Sequence, residues 1–353
     1  MDFAASYSTN PYDNTVILRS EHRAIWSMVP MMLIFLVAVA LPYLVYQSFT
    51  NLLVNLAILI TLATMWNLLA GYAGLVSVGQ QAYIGIGAYT VLVSAQHGLE
   101  PFLAIPIAIV VCALFALPAS LLVFRLRGGY FAIGTWVLAI VAEIVFSGIP
   151  SLGGGSGAAL PGLSSMSPVL RGAYTYWAAL GVSAAGLVAV YLLLRSRLGL
   201  VLRAMKDDEL AARSSGSRVY GAKQAAYLLA AAGCGAAGAL LIISQLNVEP
   251  SNVFSVNFSA EMIFAVLIGG VGTMEGPVIG AVAFILLQHL LASYGALYFI
   301  VLGAIAIVIA LWMRKGLWGT FVERIPIRLF PVGYILRSND GKDSFRKHLQ
   351  TRL

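Results

Sequence analysis

Three groups of residues in this 353-residue chain have the type and spacing to do chemistry. The first is Gln80, Gln81 and Tyr83, which follow the run Gly71-Tyr72-Ala73-Gly74-Leu75-Val76-Ser77-Val78-Gly79. Two amides and a phenol donate and accept hydrogen bonds without carrying charge, which suits transient contact with a passing polar solute rather than bond-making. The second is Glu143, a carboxylate at the end of the apolar stretch Trp136-Val137-Leu138-Ala139-Ile140-Val141-Ala142. A carboxylate there is costly to expose to lipid, so it either lines a pathway or makes a helix–helix hydrogen bond. The third is Asp207-Asp208-Glu209, followed by Leu210-Ala211-Ala212 and then Gly216, in a stretch dense in Arg and Lys. Acids suit a helix N-terminus and a glycine suits its end. With Leu200, Leu202, Ala204, Met205 and Leu210, the spacing predicts one short amphipathic helix, a docking element for a cytoplasmic partner. A helix lying on lipid is the alternative, for which three successive acids are poorly suited.

None of these groups makes a catalytic constellation. No His, Asp and Ser residues group into a catalytic constellation, and a Gly-x-x-x-x-Gly-Lys-Ser/Thr phosphate loop is absent from the sequence. Cys112 and Cys234 lie in separate apolar segments and read as packing residues, so no disulfide, metal or other cofactor is expected. A pathway and a docking loop, rather than an active site, are what the residues offer.

The elements that must carry them are helices in a membrane. Charged residues make up 10% of the chain, against roughly 25% for a soluble domain. Residues 24–99 carry no formal charge at all, and no soluble fold buries so long a stretch unbroken. A soluble enzyme, a nucleic-acid-binding domain and a disordered chain are excluded, which leaves an all-α polytopic membrane protein. Spans of about 20 apolar residues are expected near 28–47, 51–70, 101–124, 130–149, 173–194, 224–246 and 296–313. Shorter, Gly-rich or Pro-interrupted ones fall near 78–96, 258–271 and 277–294, giving about ten. The first apolar run is read as a retained helix, because it is long enough to span and no small-residue cleavage pattern follows it. The segments are then 1–27 as a cytoplasmic N-terminus, 28–313 as the membrane domain with a cytoplasmic loop at 195–223, and 314–353 as a basic cytoplasmic tail.

Charge orients these spans. With the N-terminus inside, 20 of the 21 Lys and Arg residues fall on the cytoplasmic side and only Arg171 falls outside. That asymmetry predicts an N-in, C-in topology, and the net charge of +7 becomes a topology signal rather than a nucleic-acid footprint. It requires 78–96 to cross. It also lets 258–294 cross twice or form a re-entrant hairpin, and two crossings are preferred.

Two stretches break the helical pattern: 71–81, followed by Gly85 and Gly87, and Gly269-Gly270-Val271-Gly272-Thr273-Met274-Glu275-Gly276-Pro277, followed by Gly280. Irregular backbone at membrane depth must be covered by protein or line a watery cavity. Paired breaks are the signature of internally repeated transporters, so an internal inverted repeat is expected, with Gly74, Gly79, Gly270 and Gly272 beside the pathway. Close helix packing explains the same glycines, and both readings stand. Asn55, Asn67, Gln288 and His289 carry a similar ambiguity, while Glu261 and Glu275 sit at span ends.

Residues 50–316 resemble the permease subunits of branched-chain amino acid importers driven by ATP-binding-cassette ATPases, of the LivM type. The likeness rests on Glu209-Leu210-Ala211-Ala212 with Gly216, on Asn67-Leu68-Leu69-Ala70-Gly71-Tyr72-Ala73-Gly74 with Ser77-Val78-Gly79-Gln80, on Leu126-Arg127-Gly128-Gly129-Tyr130-Phe131-Ala132-Ile133-Gly134-Thr135, and on Ile268-Gly269-Gly270-Val271-Gly272-Thr273 with Gly276-Pro277. It implies a bacterial inner-membrane subunit paired with a second, LivH-type permease. Two cytoplasmic ATPases dock on its loop through a short helix, and a periplasmic binding protein delivers the solute. It further implies alternating access driven by the partners' ATP, not catalysis by this chain. Two positions depart from the family pattern: Gln80-Gln81 replaces residues such as His-Ala, and Leu210 replaces the first Ala of the loop motif. A secondary transporter or channel working without ATPases is the alternative, and would lean on Glu143 for ion coupling.

Overall fold

The computed structural model describes residues 46–163 and 166–291 continuously, with shorter pieces at 15–18, 39, 41–43, 300, 301, 303, 304, 316–324 and 335–338. The expected spans at 28–47 and 296–313 lie almost entirely outside the described residues. Among those residues, six helical stretches are long and apolar enough to cross a membrane: Gln47–Tyr72, Ala104–Val123, Gly129–Ser147, Pro168–Arg195, Val219–Gln245 and Pro250–Gly269. The chain is a mostly helical, polytopic membrane protein.

In chain order the helices are α1 (Gln47–Asn67), α2 (Gln81–Gln96), α3 (Ala104–Val123), α4 (Gly129–Ser147), α5 (Pro168–Arg195), α6 (Arg197–Asp207), α7 (Glu209–Ser214), α8 (Val219–Gln245), α9 (Pro250–Val253), α10 (Val256–Gly269), α11 (Gly276–Leu291) and α12 (Gly316–Arg324). Four strands accompany them: β1 (Thr15–Leu18), β2 (Ala158–Ala159), β3 (Asn247–Val248) and β4 (Ile335–Ser338). The described residues fall into two compact units. One, within residues 1–33 and 328–353, contains an antiparallel pair of β1 and β4 with Thr15 opposite Ser338 and Leu18 opposite Ile335. The other, within 34–327, is the helical bundle, joined at one end by the short β2–β3 pair.

Helix starts follow local chemistry. Ser167 ahead of Pro168, Ser196, Asp208 and Ser255 each accept a hydrogen bond from a backbone N–H of the first turn that follows. At Asp208 this overturns the single loop helix expected from sequence. Its carboxylate accepts from the N–H groups of Leu210 and Ala211, which needs extended backbone (φ −153°, ψ 110°), so the loop divides into α6 and α7. Asp207 therefore ends α6 instead of starting the next helix.

α1 and α8 form the centre. From Ala230 to Ala239, α8 carries only Ala, Gly and Cys, which lets neighbouring backbones approach closely. A Cβ built on Gly238 would strike the backbone of Ile84 in α2, and one on Gly87 would strike Gly235. The outward faces of α3 and α4 carry Leu114, Leu121, Leu122, Ile133, Val137 and Ile144 exposed, as lipid or a partner helix requires.

Both long central helices end in irregular chain. α1 widens into a π turn over Leu68–Tyr72, and residues 73–80 then run back along it. The Trp66 indole N–H donates to Ser77 O at 2.8 Å, and Val78 N–H donates to Thr135 Oγ at 3.1 Å. α2 consequently starts deep in the bundle. After α8, Leu246 turns the chain in a left-handed conformation (φ 58°), and β3 and α9 lead back to the start of α10. The two short helices meet at their N-terminal ends, where Ser259 donates to Gln81 Oε1 at 2.5 Å. They then diverge, since Phe254, upstream of Ser259, packs on Tyr89, downstream of Gln81.

Residues 73–80 and 246–255 each lead from a long central helix into a short one. The glycine run at 269–277 lies against the first one, with Gly272 beside Gly71.

Candidate functional site

Where the two glycine runs touch, Asn67 holds them with both ends of its amide. Its Nδ2 donates to Thr273 O at 2.8 Å, and its Oδ1 accepts from Gly272 N–H at 2.8 Å. Gly71 and Gly272 are in direct backbone contact, since a Cβ on Gly71 would lie 2.7 Å from Gly272 N. Gly272 also has φ +78°, a conformation that side chains oppose. Gly270 lies on the opposite side of this run, against Gly316 at the start of α12.

Gln80, Gln81 and Tyr83 lie further into the bundle. The contact at Ser259 is ten residues, about 15 Å, along α10 from Gly269. All three side chains are buried between helices. The Cys234 thiol donates to Gln80 Oε1 at 2.7 Å, Ser259 holds Gln81, and the hydroxyls of Tyr83 and Tyr227 are hydrogen-bonded at 2.9 Å. Gly79 is buried against α4, where a Cβ would overlap Thr135 O. Gly74 is exposed and packs on Lys206 of α6. Glu143 is half-buried eight residues beyond Thr135 on α4, about 12 Å along its axis, and does not join this cluster. Asn55 and His289 are exposed, Gln288 is half-buried, and Cys112 donates weakly to Tyr83 O.

The loop residues form a compact second site. Glu209 pairs with Lys223 at 2.7 Å and with Arg213 one turn on, which ties α7 to the start of α8. Burial pushes the Glu209 carboxyl up, but Lys223 and Arg213 outweigh it and hold the group below the ordinary carboxylate range. Ala212 is buried beneath α7, while Asp207, Asp208, Ala211 and Gly216 are exposed. Leu210 is 68% exposed on this helix, which Glu209 anchors to α8. Gly216, at φ +77°, closes the loop.

Several partners escape a reading of the sequence. Ser259, Tyr227 and Cys234 satisfy the buried polar groups from distant helices, and no local pattern marks them. Lys206 donates to Gly71 O at 2.7 Å, and Arg203 lies 5.9 Å from the centre of the Tyr72 ring. Their spacing of three residues, which places both on one helix face, was the available signal.

Residues 48–311 match the family described as branched-chain amino acid transport system / permease component. Two curated relatives are the high-affinity branched-chain amino acid transport system permease proteins LivM of Salmonella typhimurium and Escherichia coli. The first is 27% identical over 314 residues, covering 81% of this chain and 74% of the relative. The second is 27% identical over 311 residues, covering 80% and 73%. No solved structure matches the chain.

Proposed function

The chain belongs to the branched-chain amino acid permease family, and from that premise we propose that it is a membrane-spanning subunit of an ATP-driven importer. It carries branched-chain or related amino acids across the bacterial inner membrane into the cytoplasm. It works with a second, homologous permease, two cytoplasmic ATPases and a periplasmic binding protein, and contributes no catalytic group of its own.

One observation carries the coupling assignment. α7 is anchored to the bundle by Glu209 and Lys223 while Leu210 and Ala211 face outward. A six-residue helix held from behind and apolar in front is suited to a protein groove. Asp208 caps this helix and Gly216 ends it, so Asp207, Asp208, Glu209, Ala211, Ala212 and Gly216 shape the docking loop.

In this reading the chain crosses ten times with both ends in the cytoplasm. The two interrupted units, α1 with α2 and α8 with α10, are inverted repeats whose short helices begin against each other near the membrane midplane. Gly74, Gly79, Gln80, Gln81 and Tyr83 belong to the part that rearranges, with Gly270 and Gly272 at the cytoplasmic end. Glu143, on the outward side of α4, influences the pathway from its edge.

Co-isolation tests the reading. Purified in mild detergent from its native membrane, the chain should bring down two ATPase subunits and a second permease, and Leu210→Glu should release the ATPases. A lone chain that transports amino acid unaided would contradict it.

A further inference from the structure

The contact between the glycine runs is also contacted by the loop that carries α7. The carbonyl of Gly71 ends the π turn of α1, where helix geometry leaves it without a partner, and Lys206 supplies one through Nζ at 2.7 Å. The same ammonium stands close to the second run: a Cβ on Gly272 would lie 3.7 Å from it. At the backbone level α6 rests on the first break, since a Cβ on Gly74 would lie 3.5 Å from Lys206 Cα. Asn67 then joins the first run to the second, and α12 closes on Gly270 from the far side.

A continuous chain of contacts therefore runs from α7 through α6 to Lys206, then to Gly71 and Gly272. Arg203 holds the neighbouring Tyr72 ring through a contact with little directional demand. The Lys206 hydrogen bond is short, and a displacement of α6 beyond the reach of its flexible stem breaks it. Lys206 is exposed, and its flexible stem can release Gly71 O to water at modest cost. These are the properties of a latch rather than of a packing residue.

We propose that Lys206 is the positioning residue through which the docking loop holds the two glycine runs together, so that movement of the docked ATPases opens their contact by withdrawing this side chain. The proposal rests on the importer reading above and adds the residue that transmits the motion.

The test uses the whole complex in proteoliposomes and compares Lys206→Met, Lys206→Gln and Lys206→Arg with the unmodified chain. Stimulation of ATP hydrolysis by the loaded binding protein and solute uptake are measured together. K206M and K206Q should retain their ATPases and hydrolyse ATP, with uptake per ATP reduced about tenfold, within the usual range of coupling between sites. K206R should recover most of it. Normal uptake per ATP in K206M and K206Q would overturn the proposal. So would an equal defect in K206R, or loss of the ATPases from K206M, which would make Lys206 part of the docking surface. Absence of ATPases from the unmodified chain would instead remove the importer reading itself.

Discussion

Gly238→Val is expected to destabilise the folded bundle strongly, so that less protein survives detergent extraction as a monodisperse species. A Cβ at Gly238 would collide with the backbone of Ile84, and its α2 neighbour Gly87 stands in the same relation to Gly235. A side chain meeting another side chain can be relieved by a rotamer change, but one meeting a backbone forces the helices apart. Separating α2 from α8 would also disturb Gln80 against Cys234 and Tyr83 against Tyr227, which are satisfied only across this interface. Overpacking of this kind costs on the order of 3 kcal/mol, a large part of a typical folding stability. The matched control is Gly181→Ala in α5, where a Cβ meets nothing within 4 Å, so stability should hold or rise slightly. Thermal unfolding followed by size-exclusion chromatography distinguishes the two, and a G238V protein as stable as the G181A control would refute the close crossing.

Glu209→Arg is expected to abolish coupled uptake while leaving the membrane bundle folded. The substitution removes the acceptor of Lys223, whose side chain is 11% exposed, and sets a third cation beside Lys223 and Arg213. Breaking a fully buried pair costs about 3–5 kcal/mol, and the partial exposure of Glu209 lowers this to roughly 2 kcal/mol. That suffices to detach α7 from α8 in most molecules, since about 1.4 kcal/mol is already tenfold. Uptake should fall by at least about tenfold together with ATPase co-isolation, and hydrogen exchange should rise at 209–216 while α8 beyond Ala226 stays protected. Unchanged uptake in E209R would show that α7 is not the docking element.

Much of this architecture is legible in the residues. The absence of charge between Arg23 and Glu100 announces membrane helices, but the helix starts capped by Ser167, Ser196 and Ser255 went unread although their chemistry is confined to one turn. The glycine runs are legible as interruptions because glycine is costly inside a helix wherever nothing requires it. What each interruption meets is not legible, because the decisive contacts join residues far apart in the chain. Gln81 and Ser259 are 178 residues apart, and Asn67 and Gly272 are 205 apart. The two Gly-x-x-Gly patterns look alike in sequence, but nothing local to either tells that Gly71 and Gly272 meet. Asp208 misled for a local reason: three acids in a row look alike in sequence, and only backbone geometry selects the one that caps. Lys206 was hidden by its company, one cation among seven between Arg195 and Lys223.

The most direct measurement is uptake of a radiolabelled branched-chain amino acid into proteoliposomes containing the chain with its co-isolated partners. Uptake should require ATP on the cytoplasmic side and loaded binding protein on the other, should cease without either, and should be insensitive to dissipation of ion gradients. Accumulation by the chain alone, driven by an ion gradient and indifferent to ATP, would contradict its role as the permease subunit of an importer.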